Sequence, residues 1–399
     1  MKIGVYGGTF NPPHLGHLTS ARFAMDYLGL DRLLFMPAGD PPHKELPPNS
    51  PPAQTRLELM EAAADSMLLP GRVEVDHMEV RREGKSYTAD TLQELHDQYP
   101  DDELWLLMGT DMFLTLQHWK KPEVICSLAH LAAFARTQAD TGEMLELQAK
   151  YLSETYGAKC AVIQLPQITP VSSTQLRGLL AKGEGRQYLP PAVYGDILRQ
   201  GLYGTHADMK NLTHADLTAC SLSMVYAKRH AHILGVAQTA VELAKRWGGD
   251  EELAFRAGIL HDCTKYLSLR EHLAICEQYG LELDDMERSS AKLLHAKTGA
   301  ALARHLYGQP DQVYEAICWH TTGKPDMTLL EKIIYIADYM EPNRRFDGVE
   351  EMRRLCGTDL DAALLMGLEM SVEDLKERDI PIHQNTQGAL DWVLEHRKG

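Results

Sequence analysis

Apolar residues in the first half of the chain come in short unbroken runs, separated by stretches of helical period. Lys2–Tyr6, Arg32–Met36, Arg72–Val75, Leu104–Met108, Leu131–Ala135 and Ala161–Gln164 each hold a compact apolar segment between turn-forming residues. This is the pattern of strands covered on both faces. Between them, Gly16–Leu28, Gln54–Ser66 and Thr88–Gln98 repeat apolar positions at helical spacing. Strand–helix alternation at this interval predicts an α/β domain with a mostly parallel sheet. Prolines 37, 41, 42, 47, 48, 51 and 52 mark a long irregular loop, and the polar stretch Gln138–Lys159 reads as a variable insertion.

Beyond about residue 205 the strand-like runs nearly vanish. Ser221–Trp247, Asp250–Leu260, Lys292–Leu306, Asp311–Trp319 and Leu329–Met340 read as amphipathic helices, which predicts an all-α domain. Gly204–Asp216 has little periodicity. The expected organisation is therefore a domain over 1–203, a linker over 204–217 and a second domain over 218–399. No internal repeat or heptad run interrupts this picture.

The 399 residues carry 40 Lys+Arg against 56 Asp+Glu, a net charge of −16. That argues against a nucleic-acid polymer or an anionic membrane held by a broad basic surface, but leaves room for small anions on local donors. No apolar run is long enough to cross a bilayer, and MKIGVYGG lacks the apolar stretch of a signal peptide. The 7 cysteines form no CxxC pair, so free thiols in a reducing cytoplasm are expected. Histidine, at 18, is the unusual component.

Two histidines, His14 and His17, stand in GGTFNPPHLGH, directly after the first strand and at the start of a helix. Gly7 and Gly8 permit close backbone approach, and a helix N-terminus offers unpaired N–H groups and the positive dipole end. Histidines three apart share a face there, an arrangement that suits a polyphosphate. In VSSTQLR, Ser172 and Ser173 are natural caps of a second helix, and Arg177 lies one turn in, within reach of the same anion.

GGTFNPPHLGH and SSTQLR together resemble the HxGH and SSTxLR motifs of the nucleotidyltransferase superfamily. Pro42-His43-Lys44, SYTADTL around Thr88, Gly109-Thr110-Asp111 and Trp119 with Lys120-Lys121-Pro122 narrow the resemblance to bacterial nicotinate-nucleotide adenylyltransferases, over roughly residues 1–203. The resemblance implies a Rossmann-like fold that joins ATP to nicotinate mononucleotide with Mg²⁺ and releases pyrophosphate. It implies that His14 and His17 hold the ATP phosphates and that Lys44 and Arg177 offset charge on the transferring and leaving groups. Gly7, Gly8, Thr9, Phe10, Gly109 and Ser172 belong to the matching binding motifs. Ser173 would donate to the phosphates or cap their site, and Asp111 would bind adenosine or the metal region. Trp119 would stack on the pyridine ring with Thr88 near its carboxylate. Another phosphate acceptor, such as pantetheine phosphate, is the alternative.

In the second half His232, the pair His261-Asp262, His295, His320 and Asp338 each fall inside apolar helical stretches. Several His and carboxylate groups so placed suit first-row metals such as Fe, Mn or Zn, and a carboxylate such as Asp262 can bridge two ions. His261 and Asp262 are adjacent, so both can face one site only at a helix terminus or bend. The order His232, His261-Asp262, Asp338 resembles the HD phosphohydrolase superfamily, and His295 and His320 its two-metal members. HDCTKYL, HAKTG and WHTTGKPDMTLLEKIIYIADYMEPNR are similar to bacterial HD-domain symmetrical diadenosine tetraphosphate hydrolases, over roughly 218–375. That resemblance implies a centre of two metal ions, iron in this family, and cleavage of diadenosine tetraphosphate to two ADP. Lys265 would neutralise phosphate charge, and Thr321, Thr322 and Arg344 are candidate phosphate or base contacts.

Hydrolysis of another nucleotide, or a nucleotide-binding regulatory module, remains the alternative for this half. A homo-oligomer is left open.

Overall fold

Six parallel strands carry the first half in the computed structural model, which describes residues 1–41, 45–135, 142–166 and 169–396. They are β1 (Lys2–Gly8), β2 (Arg32–Pro37), β3 (Val73–Val75), β4 (Glu103–Gly109), β5 (Ala129–Ala135) and β6 (Cys160–Gln164). Their order across the sheet is β3-β2-β1-β4-β5-β6, every pair parallel. The expected α/β fold is thus a doubly wound sheet, whose strand order reverses between β1 and β4. Ligands of such sheets bind at the carboxyl ends of the strands flanking that reversal. Here those ends are Gly8 and Gly109.

The central strands are apolar because both faces are covered: Ile3, Leu33, Phe35, Leu131 and Ala133 are all fully buried. One structural difference lies in the polar stretch expected as an insertion, where Gly142–Tyr156 forms a helix. Leu145 and Leu152, two turns apart, anchor it in the core beside β5 and β6, while Met144, Leu147 and Tyr151 on the same helix stay exposed.

The chain divides into two compact units, Met1–His206 and Ala207–Gly399. The division falls inside the expected linker 204–217, but the end of that segment is structured. Thr213 accepts the N–H of Asp216 and caps a helix over His214–Leu222.

The second unit is helical throughout its regular elements. Its main helices include His230–Trp247, Glu251–Leu260, Leu269–Tyr279, Ala291–His305, Asp311–Cys318, Leu329–Met340 and Leu360–Glu377. The single helix expected over Ser221–Trp247 is instead two, separated by Ser223–Tyr226 and a short 3-10 turn, Ala227–Arg229. Tertiary bonds hold the break: Ser221 Oγ donates to Ile259 O, and Arg229 turns inward to Asp262. Among the described residues no helix is long and apolar enough to cross a membrane.

Candidate active sites

In the first unit the chain leaves β1 at Gly8 and enters the helix Leu15–Leu28 with His14 as its N-cap. His14 Nδ1 accepts the N–H of Gly16 at 3.1 Å, and His17 Nδ1 accepts the N–H of His14 at 3.2 Å. Each neutral ring therefore carries its proton on Nε2. Gly16 is required by this packing, since a Cβ there would lie 2.9 Å from the His14 ring. The two rings, 3.8 Å apart, line a cavity of about 290 Å³ with Ser20, Thr169, Ser172 and Ser173 among its walls.

The second wall is the helix Ser173–Leu180. Ser172 Oγ accepts the N–H of Gln175 at 3.2 Å, and Gln175 Oε1 accepts the N–H of Ser172 at 2.9 Å, a reciprocal cap. Ser173 Oγ donates to Pro12 O at 3.2 Å and Arg177 Nη1 to Asn11 O at 2.7 Å. The two motifs, far apart in sequence, are thus locked together by side chain-to-backbone bonds. Gly7 and Gly8 end β1, while Phe10 turns its ring into the core against Tyr6 and Phe35. The side chain of Phe10 is thus a packing element.

Thr88, Gly109, Asp111 and Trp119 lie outside the walls of that cavity. Thr88 opens the helix Thr88–Gln98, Gly109 ends β4, and Asp111 is exposed on the short helix Thr110–Leu114 that follows. Trp119 packs partly buried against the core. Lys120 sits 3.9 Å over the Tyr87 ring and 3.1 Å from Asp90 Oδ2, which brings the Trp119 loop to the start of the Thr88 helix. Lys44 lies outside the described residues.

Arg56 was not apparent from sequence. It is fully buried, donating from Nη1 to Thr9 O at 2.8 Å and from Nη2 to Gly39 O at 2.9 Å. It thereby ties together the loops that follow β1 and β2.

In the second unit four imidazoles and two carboxylates converge. The helix Glu251–Leu260 ends just before His261, and this terminus lets both His261 and Asp262 turn to one centre. Asp262 Oδ2 lies 3.4 Å from His261 Nε2 and 3.7 Å from His232 Nε2. Its other oxygen, Oδ1, lies 3.2 Å from His295 Nε2 and 3.7 Å from His320 Nε2. His232 Nε2 is also 3.1 Å from Asp338 Oδ1. Asp262 therefore stands between two donor sets, as a bridging carboxylate must.

The outer nitrogens fix the direction of every ring. Nδ1 of His261, His295 and His320 donates to the carbonyl three residues earlier, at 2.7, 2.6 and 2.7 Å. His232 Nδ1 faces Glu341 Oε1 at 3.1 Å. All four Nε2 atoms thus point at the carboxylates, the orientation that outer partners impose on metal-binding histidines. Burial alone would raise the Asp262 carboxyl, but the imidazoles around it hold it well below the ordinary range. Burial likewise opposes ionisation of Asp338, and His232, His261 and Arg344 overcome it. Burial pushes His295 down to about 4, keeping it neutral and able to donate a lone pair. The donor set fits a pair of divalent cations.

The remaining expected residues gather at the mouth. Lys265 Nζ lies 3.3 Å from Asp262 Oδ1 and 2.9 Å from His295 Nε2, although it follows the helix rather than sharing its face. Thr321 Oγ1 is 3.3 Å from Nε2 of both His295 and His320. Thr322 is buried with its hydroxyl donating to Gly323 O. Arg344 Nε donates to Asp338 O at 2.7 Å, and its Nη2 pairs with the Asp338 carboxylate. Lys265, Thr321, Thr322 and Arg344 all line a cavity of about 810 Å³, whose walls also include His320, Asp338, Phe346, Leu375 and Ile380. Arg229 and Glu341 were missed by sequence reasoning. Arg229 Nε donates to Asp262 Oδ2 at 2.7 Å.

Residues 5–179 match the cytidylyltransferase-like family, and residues 229–343 match the HD domain. The "Bis(5'-nucleosyl)-tetraphosphatase, symmetrical" of Bacillus subtilis (strain 168) is 36% identical over 184 residues, 46% of this chain and 98% of its own length. The "Probable nicotinate-nucleotide adenylyltransferase" of Lachnoclostridium phytofermentans is 36% identical over 203 residues, 51% of this chain and 98% of its own. The chain belongs to both families, one in each half. A crystal structure described as "predicted HD superfamily hydrolase involved in NAD metabolism", from Clostridium acetobutylicum, shares 39% identity. It covers 47% of this chain and 99% of that one, with a TM-score of 0.46. The nucleotidyltransferase half holds the cavity lined by His14 and His17, and the HD half holds the His–Asp centre.

Proposed function

We propose that the chain is a bifunctional enzyme of nucleotide chemistry. The nucleotidyltransferase half joins ATP to nicotinate mononucleotide, and the HD half cleaves diadenosine tetraphosphate symmetrically into two ADP. The observation that supports this most is the chemical contrast of the two histidine clusters: imidazole N–H donors at a helix start in one, converging imidazole lone pairs around a carboxylate in the other.

In the first reaction a phosphate oxygen of nicotinate mononucleotide attacks the α-phosphorus of ATP, and the bond to pyrophosphate breaks. No protein nucleophile is needed, so positioning and charge stabilisation carry the rate. His14 and His17 donate from Nε2 to the ATP phosphates, and Ser172 and Ser173 shape the opposite wall. Arg177 and Lys44 offset charge on the transferring and leaving groups. Thr88 and Trp119 receive the pyridine ring, and Asp111 the adenosine side. Mg²⁺ is the expected partner of the triphosphate.

In the second reaction water adds to a phosphorus of the central P–O–P bridge, and one ADP leaves. His232, His261, Asp262 and Asp338 would hold one ion, with Asp262, His295 and His320 holding the other. Iron is the ion we propose. Such a pair supplies Lewis-acid polarisation of a phosphoryl oxygen and an acidified water. Arg229, Lys265 and Arg344 bind the phosphates, and Thr321 and Thr322 border the reacting group.

Purified chain given nicotinate mononucleotide, ATP and Mg²⁺ should yield nicotinate adenine dinucleotide and pyrophosphate. Given diadenosine tetraphosphate, it should yield ADP. His17→Ala should abolish only the first activity and Asp262→Asn only the second. ATP plus AMP as main products would overturn the symmetrical cut, and no dinucleotide product would overturn the first assignment.

A further inference from the structure

Tyr226 and Tyr266 are 56% and 39% exposed, and among the described residues of the second unit they are the only Phe, Tyr or Trp side chains so open to solvent. They are also in contact with each other. Their ring centroids are 4.8 Å apart at an interplanar angle of 66°, and Lys228 Nζ lies 5.6 Å from one centroid and 5.4 Å from the other. Exposed tyrosines ordinarily scatter, and a touching pair with a shared cation forms a surface that can hold a flat, electron-rich ring.

The position of this pair relative to the metal centre gives it a purpose. Tyr226 precedes the 3-10 turn Ala227–Arg229, which sends Lys228 outward to the rings and Arg229 inward to Asp262. Tyr266 directly follows Lys265, whose Nζ also reaches Asp262. Arg229 and Lys265 line the 810 Å³ cavity, but neither tyrosine does. The rings therefore stand outside the cavity, joined to the His–Asp centre by two cations from the same two short segments.

We infer that Tyr226 and Tyr266, with Lys228, form a binding platform for the second nucleoside of a dinucleoside polyphosphate. This rests on the proposed hydrolysis of diadenosine tetraphosphate. A symmetrical cut places one nucleoside on each side of the reacting bridge. The cavity, whose walls include the apolar side chains Phe346, Leu375 and Ile380, takes one of them. The other extends past Arg229 and Lys265, the cavity-lining cations beside Asp262, onto the exposed aromatic pair carried by the same two segments. Base–aromatic stacking needs only a π-face and is sequence-tolerant, so the platform favours two-based substrates without choosing sharply among bases. Lys228 adds attraction for the nearer phosphates.

The test compares the full-length wild type, Tyr226→Ala/Tyr266→Ala and Tyr226→Phe/Tyr266→Phe. Diadenosine tetraphosphate is the substrate, and adenosine 5'-tetraphosphate, which lacks the second base, is the competitor. The alanine pair should raise KM for the dinucleotide about ten-fold with kcat little changed, and leave the inhibition constant of the competitor at its wild-type value. The phenylalanine pair should keep the wild-type KM. An unchanged KM in the alanine pair, or an equal shift for substrate and competitor, would overturn the platform. If the alanine pair changes molecular mass in solution while KM stays constant, the face is an interface between copies and the inference also falls. A wild type that leaves diadenosine tetraphosphate intact would instead remove the proposed reaction, and the platform with it.

Discussion

Glu341 Oε1 lies 3.1 Å from His232 Nδ1, and both side chains are buried. The other oxygen of Glu341 accepts the N–H of Asn343 at 2.7 Å and its side-chain amide at 2.9 Å. The carboxylate is held by its own chain, at the turn that ends the helix Leu329–Met340 before Pro342, and it in turn aims His232 at Asp262 and Asp338. Gly235, one helical turn after His232, makes room for it: a Cβ there would lie 2.4 Å from Glu341 Oε2. Glu341→Ala should weaken binding of divalent metal by roughly 10- to 100-fold. Gly235→Ala should act in the same direction by displacing the carboxylate. Metal titration against a competing chelator, with circular dichroism to verify helix content, would check both. Metal affinity equal to wild type in Glu341→Ala would remove Glu341 from this role.

His14 has two duties that can be separated. As an N-cap it accepts a backbone N–H, and as a proposed phosphate ligand it donates from Nε2. Asparagine caps helices well but cannot reproduce the imidazole donor, whereas alanine does neither. His14→Asn should stay within a few tenths of a kcal/mol of wild-type stability, and His14→Ala should lose about 1 kcal/mol. Both should lower adenylyl transfer by roughly 100-fold or more. Thermal unfolding beside steady-state kinetics tests this; a His14→Asn enzyme with wild-type kcat would make the histidine purely structural.

Arg56 should matter for stability and nucleotide binding together. Arg56→Met removes donors from two backbone carbonyls, Thr9 O and Gly39 O, at a cost of about 3 kcal/mol. Because those carbonyls belong to the loops bordering the proposed nucleotide site, KM for ATP should rise as well. Arg56→Lys should recover part of both losses. Differential scanning calorimetry with ATP titration provides the readout, and loss of stability with an unchanged KM would confine Arg56 to the core.

His272 provides a pH signature independent of the metal centre's own ligands. Burial lowers its pKa from the ordinary value, and its Nδ1 lies 2.8 Å from Thr298 Oγ1. The folded state therefore binds this proton less readily than the unfolded chain. Its contribution is fully present above the unfolded pKa and is lost as the pH falls from there through the lowered folded pKa. Denaturant unfolding from pH 7.5 to pH 5 should show stability falling with acid. His272→Gln should flatten that slope by up to one proton. An identical slope would assign the acid sensitivity to other groups.

Much of this architecture is legible in the sequence because it follows from periodicity. Thr88–Gln98 and Leu329–Met340 occur with the bounds that their apolar spacing suggests. The convergence of His232, His261, Asp262, His295, His320 and Asp338 follows from ligand chemistry placed on apolar helices. What escaped depends on contacts across the chain. Arg56 occupies an ordinary position in an amphipathic helix, and nothing local distinguishes it from a solvated arginine. Arg229 was hidden inside a stretch that reads as continuous helix, with no glycine or proline to announce the break at Ser223–Tyr226. Glu341 looks like a surface acid after a helix end. Each is defined by a partner 33 or more positions away, or by a loop carbonyl, which hydrophobic pattern does not encode.

The backbone decides what each imidazole can accept. In the nucleotidyltransferase half, chain amides occupy the Nδ1 lone pairs of His14 and His17, so neutral rings have hydrogen on the remaining nitrogen. In the HD half, carbonyls and a carboxylate take the Nδ1 hydrogens, leaving basic nitrogens inside. A transition metal supplied to the whole enzyme should therefore load the second centre without poisoning the first. The tautomer that the backbone imposes thus reserves one group of histidines for anions and the other for cations.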